Sequence, residues 1–196
     1  MIARLMLLSV MAFIGGFADA ATVSIDVRGS DGSAITEGVV MIETTGGARP
    51  PVRGPYMMEQ KNISFQPHIL IVPVGATVSF PNRDTVRHHV YSFSKAKKFD
   101  IKLYGREEQR TVLFDQSGVV ALGCNIHDSM SGFIIVSATP YVAKIGAGGR
   151  VTIPDVPPGA ATLRIWSPAI RAPGNVMTQA ATIAPGGLST TVTVRK

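Results

Sequence analysis

Three side chains with metal-binding donor atoms fall at regular spacing in GCNIHDSM, residues 123–130: Cys124, His127 three positions on, and Met130 three further. A thiolate, an imidazole and a thioether together suit copper cycling between its two oxidation states. Two histidines, one cysteine and a weak axial methionine make a trigonal electron-transfer centre. This segment supplies one of the two histidines. The other is expected from FPNRDTVRHHVYS, residues 80–92, a stretch rich in β-formers that carries His88 and His89. Successive side chains on a strand point to opposite faces, so one of these imidazoles is placed to reach an ion and the other faces away.

Compartment sharpens the meaning of the cysteine. The chain opens MIARLMLLSVMAFIGGFADA, with Arg4, an apolar run from Leu5 to Phe17 and a small-residue end at Ala18-Asp19-Ala20. Residues 1–20 therefore read as a secretory signal peptide, too short for a comfortable membrane span. Cleavage after Ala20 leaves a periplasmic chain starting at Ala21, and no later stretch reaches the roughly 18 apolar residues of a spanning helix. Cys124 is the single cysteine, so no intramolecular disulfide is possible. In an oxidising compartment an odd cysteine is reactive or occupied. A metal that binds the thiolate accounts for its survival and lowers its reactivity. A covalently attached haem is not expected, because no Cys-x-x-Cys-His element is present.

The elements that must position these residues read as strands. Twenty glycines and thirteen prolines punctuate short alternating segments. Such segments are TVSIDV (22–27), HILIVPV (68–74), ATVSF (76–80), RTVLF (110–114), GFIIVSA (132–138), RVTIPDV (150–156), ATLRIW (161–166) and TTVTVRK (190–196). Alternation bounded by turn residues predicts an all-β sandwich architecture. The strand pair leading into the cysteine loop is predicted over Gln109 to Phe114 and Val119 to Cys124, with a turn at Asp115 to Gly118. The loop from Cys124 to Met130 then feeds a strand from Phe133 to Ser137.

On these residues the chain resembles the cupredoxins, most of all the plastocyanin and amicyanin branch. The resemblance implies a Greek-key β-sandwich over residues 51–138, with MMEQKNISFQPHILIVPVGATVSF as its opening strands. It also implies one type 1 copper ion held by His88, Cys124, His127 and Met130. Asn82, Arg83 and Val90 match an "Asn-Arg" turn and a "His-Asn-Val" element, which makes His88 the first ligand. His89 stands where relatives carry Asn, so an amide that ties the two ligand loops together is expected to be missing. GRVTIPDVPPGAATLRIWSP resembles a hairpin of carboxypeptidase-regulatory-like sandwiches, and TVSIDVRGSDGSAITEGVVMIE resembles the opening strands of that module. These likenesses imply a second small Ig-like sandwich at 139–196, with the strands of residues 21–50 packing against it. The linker GGARPPVRGP, 46–55, has the Gly/Pro composition of a boundary. The order of pieces is similar to exported cupredoxin-like proteins labelled methylamine-utilisation proteins.

Other features are read as structural. GAGGR, 146–150, lacks a following helix to present a phosphate site and is expected to be a hairpin turn. His68 is expected to be structural, and Trp166 and Tyr141 to anchor the flanking sandwich. The formal charge is +6. From 83 to 110 there are eight basic residues (Arg83, Arg87, Lys95, Lys97, Lys98, Lys102, Arg106, Arg110) against four acidic ones (Asp84, Asp100, Glu107, Glu108). That stretch reads either as a solvated face or as a docking surface for an acidic redox partner protein, which charge would steer. Nucleic acid is not an expected partner of an exported chain, and the oligomeric state is left open. Two functions follow: an electron carrier, or a non-redox copper-binding or envelope interaction module. An enzyme is not expected, since four protein ligands leave no open coordination position.

Overall fold

The computed structural model describes residues 20–106 and 108–196, so the expected signal peptide falls outside the described residues, apart from Ala20. Seventeen strands and two short 3-10 turns make up its regular structure; there is no α-helix among the described residues. In chain order the first strands are β1 (Ala21–Gly29), β2 (Val39–Thr44), β3 (Tyr56–Met57), β4 (Glu59–Gln60), β5 (Phe65–Gln66) and β6 (Ile69–Pro73). Then come β7 (Ala76–Pro81), β8 (His88–Ser94), β9 (Lys97–Tyr104), β10 (Gln109–Phe114), β11 (Gly118–Cys124) and β12 (Ser131–Ser137). The last are β13 (Val142–Lys144), β14 (Arg150–Val156), β15 (Gly159–Trp166), β16 (Val176–Ile183) and β17 (Leu188–Val194).

Alternation along each strand decides which face turns inward. In β1, Ala21, Val23, Ile25 and Val27 are buried at every second position, as a period of two requires. β1 lies between β14 and β17 in one sheet, and β2 lies between β13 and β15 in another, with β16 beyond. Val23, Ile25, Val40, Ile42, Leu163 and Ile165 fill the space these sheets share. The middle of the chain forms a second sandwich from β10-β7-β3 and the five-stranded β6-β12-β11-β8-β9. Met58, Phe80, Val90, Phe114, Val120 and Ile134 form its core. β3 joins β7 and β6 joins β12 in parallel, which takes crossing connections rather than hairpins.

A third apolar cluster, with Val39, Met41 and Trp166 on one side and Ile69 and Ile135 on the other, joins the two sandwiches. The Trp166 and Phe133 rings meet edge-on at 4.7 Å. Thr139 Oγ1 donates to the Ile42 carbonyl at 2.7 Å, and His68 pairs with Glu37 at 2.9 Å. His68 and Trp166 are thus structural, and Tyr141 packs on the core of the flanking sandwich.

Three local outcomes differ from the sequence reading. The basic stretch contains β9, whose alternation is hidden because a register shift between His88 and Val90 leaves Leu103 exposed and Tyr104 buried. β16 carries only one buried residue, Ile183, so its alternation is weak in sequence. GAGGR is not a hairpin turn: a 3-10 turn over Ala147–Gly149 passes the chain from β13 in one sheet to β14 in another.

Candidate metal centre

Strand pairing brings the donors together. Val90 on β8 sits opposite Cys124 on β11, and Tyr91 sits opposite Gly123, so the start of β8 meets the end of β11. On the other side of β11, Gly123 pairs with Ser131, the first residue of β12. The loop that carries His127 and Met130 therefore begins and ends on adjacent strands. Inside it the Met130 N–H donates to the His127 carbonyl at 2.9 Å, which closes the turn.

Of the four sequence-predicted residues, His88, Cys124 and His127 form one group whose donor atoms all lie within 4.8 Å of one another. Cys124 Sγ is 3.9 Å from His88 Nδ1 and 3.6 Å from His127 Nδ1. A first-row ion bound at about 2.3 Å to sulfur and about 2.0 Å to nitrogen, in a trigonal plane, sets that separation at about 3.7 Å. The observed distances bracket it, so the donors fit a single ion without moving strands. Met130 is buried and belongs to the same apolar cluster as Cys124. Cys124 and His88 are buried, and His127 is half-buried. The two adjacent imidazoles divide as alternation requires: His88 faces inward, whereas His89 contacts Asp100 and lies edge-on to Tyr91.

Around His88 lies a set of polar contacts that the sequence reading missed. The His88 Nε2–H donates to Asp84 Oδ2 at 2.8 Å, which fixes the tautomer that leaves Nδ1 free as the donor atom. Asp84 in turn accepts the backbone N–H groups of Asn62 at 2.6 Å and Ile63 at 3.0 Å. Burial raises the Asp84 carboxyl, but these bonds, from Ile63, His88 and Asn62, outweigh it and hold the group below the ordinary carboxylate value. Asn82, itself buried, accepts the Asp84 N–H at 2.9 Å and donates to the carbonyls of Val86 (2.8 Å) and Tyr104 (3.2 Å). The expected missing amide at position 89 is thus accompanied by Asn82, which ties the loop before His88 to the end of β9. The Tyr104 hydroxyl sits between Gln60 Oε1 and the Phe80 carbonyl, and burial pushes it well above the usual phenol range. The available signal for Asp84 was its place four residues before His88, inside the Asn82-Arg83 turn.

Fold and site together define an all-β protein in which two imidazoles and one cysteine sulfur converge, His88 and Cys124 buried and His127 half-buried. No family model and no curated protein matches the sequence. Solved structures that resemble the chain include cupredoxins and a copper enzyme. A purple cupredoxin from Nitrosopumilus maritimus matches at a TM-score of 0.39 and 24% identity, over 42% of this chain and 100% of that one. A copper-containing nitrite reductase from Thermus scotoductus SA-01 matches at 0.41 and 27%, over 48% of this chain and 25% of that one. A reduced Cu(I) form of an amicyanin variant matches at 0.40 and 19%, over 50% of this chain and 98% of that one.

Proposed function

We propose that the chain is exported through residues 1–20 and works in the periplasm as a mononuclear type 1 copper protein that carries single electrons between other proteins. One observation carries this reading: a cysteine sulfur and two imidazoles converge at separations that fit one trigonal ion, and the buried Met130 lies in the apolar core cluster that also contains Cys124. Copper bound there would supply one-electron chemistry. His88, Cys124, His127 and Met130 are the proposed ligands, and as four protein donors they leave no position open for a substrate, so the protein is not an enzyme.

The chain's own residues suit that task by moving little. Asp84 holds His88, the β8–β11 ladder holds Cys124, and the His127–Met130 bond holds the loop. His127 is the proposed ligand with most access to solvent, which makes its ring the electron port. Ile63, Val86 and Ile126 are exposed on loops that serve this end of the sandwich, an apolar surface for a transient partner. The basic stretch from 83 to 110 favours an acidic redox partner. No described helix is long and apolar enough to cross a membrane.

The test is spectroscopic. Copper-loaded protein is expected to show an intense thiolate-to-copper absorption that bleaches on reduction and returns on oxidation, and Cys124→Ser is expected to abolish it. An unchanged band in that variant rules out the assignment. A second reading, a non-redox copper-binding or envelope interaction module, is favoured by the cleft of about 660 Å³ between the sandwiches, lined in part by Phe133, Trp166 and Arg164. Copper that binds but exchanges no electrons with any redox protein selects that second reading.

A further inference from the structure

The β4–β5 hairpin contributes no donor to the metal group, yet it is bound to the group through one carboxylate. Its two-residue turn, Asn62–Ile63, has both residues in the left-handed region, at φ 55° and 52°. Two-residue hairpins favour such turns, and Asn fits the first position. Ile does not fit the second: a β-branched side chain with positive φ is a backbone outlier that surrounding structure must sustain. Its side chain is 44% exposed, so apolar burial gives little in return. What this conformation does deliver is two successive N–H groups aimed at the same carboxylate, at 2.6 Å to Asp84 Oδ1 and 3.0 Å to Asp84 Oδ2. Successive backbone N–H groups of this kind form an anion-binding concavity. The hairpin is fastened to the same segment again by the Arg83 N–H donating to the Gln60 carbonyl at 2.8 Å.

We propose that Asp84, seated in the Asn62–Ile63 turn, is a positioning residue that sets both the orientation of His88 and the electron affinity of the metal centre. This rests on the copper reading above. Oδ2 takes the His88 Nε2–H while the turn's two N–H groups hold Oδ2 and Oδ1, so the carboxylate is fixed at both oxygens against rotation away from the ring. A carboxylate on the far nitrogen of a ligand imidazole makes that ligand more basic. Its negative charge also stabilises the more positive oxidation state. Both effects favour Cu(II) over Cu(I), and so lower the reduction potential.

Asp84→Asn is the informative change. An amide has one oxygen, so it cannot accept from both the His88–Ile63 side and the Asn62 side; its NH₂ must face one of those donors. Copper-loaded D84N is expected to keep the thiolate absorption. Its Cu(II)-to-Cu(I) affinity ratio is expected to fall at least tenfold, which is a rise of at least ~59 mV for one electron. In the metal-free protein, nitrogen NMR is expected to show a single Nε2-protonated tautomer of His88 in the wild type and a tautomer mixture in D84N. Ile63→Gly keeps the N–H groups and relieves the backbone, so it should leave the potential at the wild-type value. A D84N potential within twofold of wild type in affinity ratio, beside an intact wild-type absorption, overturns the proposal alone. An Ile63→Gly potential that moves as far as that of D84N overturns the role given to the turn's N–H groups. Wild-type protein that takes up copper without the thiolate absorption overturns the copper reading, and this proposal with it.

Discussion

His88 and His89 are chemically identical neighbours with opposite fates, because alternation on β8 sends one ring to the sulfur of Cys124 and the other to Asp100. His88→Ala removes a buried donor together with the ring that Asp84 orients. It is expected to lower copper affinity by orders of magnitude and abolish the visible absorption. His89→Ala is expected to leave copper bound and the absorption in place, with a small spectral shift at most. Metal titrations followed by visible absorption check both, and a colourless His89→Ala beside a blue His88→Ala would move the ligand register by one residue. Asp100 carries the consequence of His89's outward orientation: bonds from Lys102 first and from His89 hold its carboxyl below the ordinary value.

The β8–β9 hairpin is the element that joins site and surface. Its inward positions are His88, Val90, Ser92, Phe99, Ile101 and Tyr104, while Tyr91, Phe93, Lys98, Asp100 and Lys102 face out. Phe93 is 78% exposed and packs at a tilt against Tyr91, ring centroids 5.1 Å apart. Gly123 lies beneath Tyr91, where an added Cβ would come within 2.7 Å of the ring, so a side chain at 123 would have to displace the Tyr91 ring. Lys97 is engaged with Asp115 at 3.0 Å, whereas Lys98 stands opposite Phe93. If this positive strip steers an acidic partner, reduction of the copper form by an anionic probe such as ferrocyanide should slow as salt rises, since the Debye length is only about 10 Å at 0.1 M. Lys98→Glu should slow it at low salt while leaving the spectrum unchanged. Rates indifferent to both changes would reduce the strip to a solvated face.

At the scale of the whole molecule the two sandwiches share one apolar seam, and Trp166 is its largest buried side chain. Truncating a buried tryptophan costs about 3–5 kcal/mol. Trp166→Ala is therefore expected to loosen the seam before it disturbs either core, because neither β1–β17 nor β8–β11 pairing depends on it. Chemical unfolding of the wild type should be a single transition, and that of Trp166→Ala should separate into two, with the copper absorption persisting through the first. One unchanged transition in the variant would mean that other contacts, such as Thr139 to Ile42, hold the sandwiches together.

The spacing of Cys124, His127 and Met130, the opposite facing of two adjacent histidines, and the all-β class were legible in the sequence, because donor softness and a period of two are local properties; which histidine faces inward came only from the resemblance of residues 82–90 to a known turn and strand. Tertiary structure alone decided what holds those donors. Asn62 and Asp84 are 22 residues apart, and His88 and Cys124 are 36 apart; no local pattern reports such pairings. β9 was obscured by the register shift beside His88, and GAGGR was misread because a glycine-rich turn looks the same whether it joins paired strands or carries the chain between sheets. The seam was equally hidden, since Val39, Met41 and Trp166 have the composition of ordinary core until the fold turns them toward Ile69 and Ile135. Local chemistry could nominate candidate donors, but their separation and orientation depend on contacts that exist only once distant segments have paired.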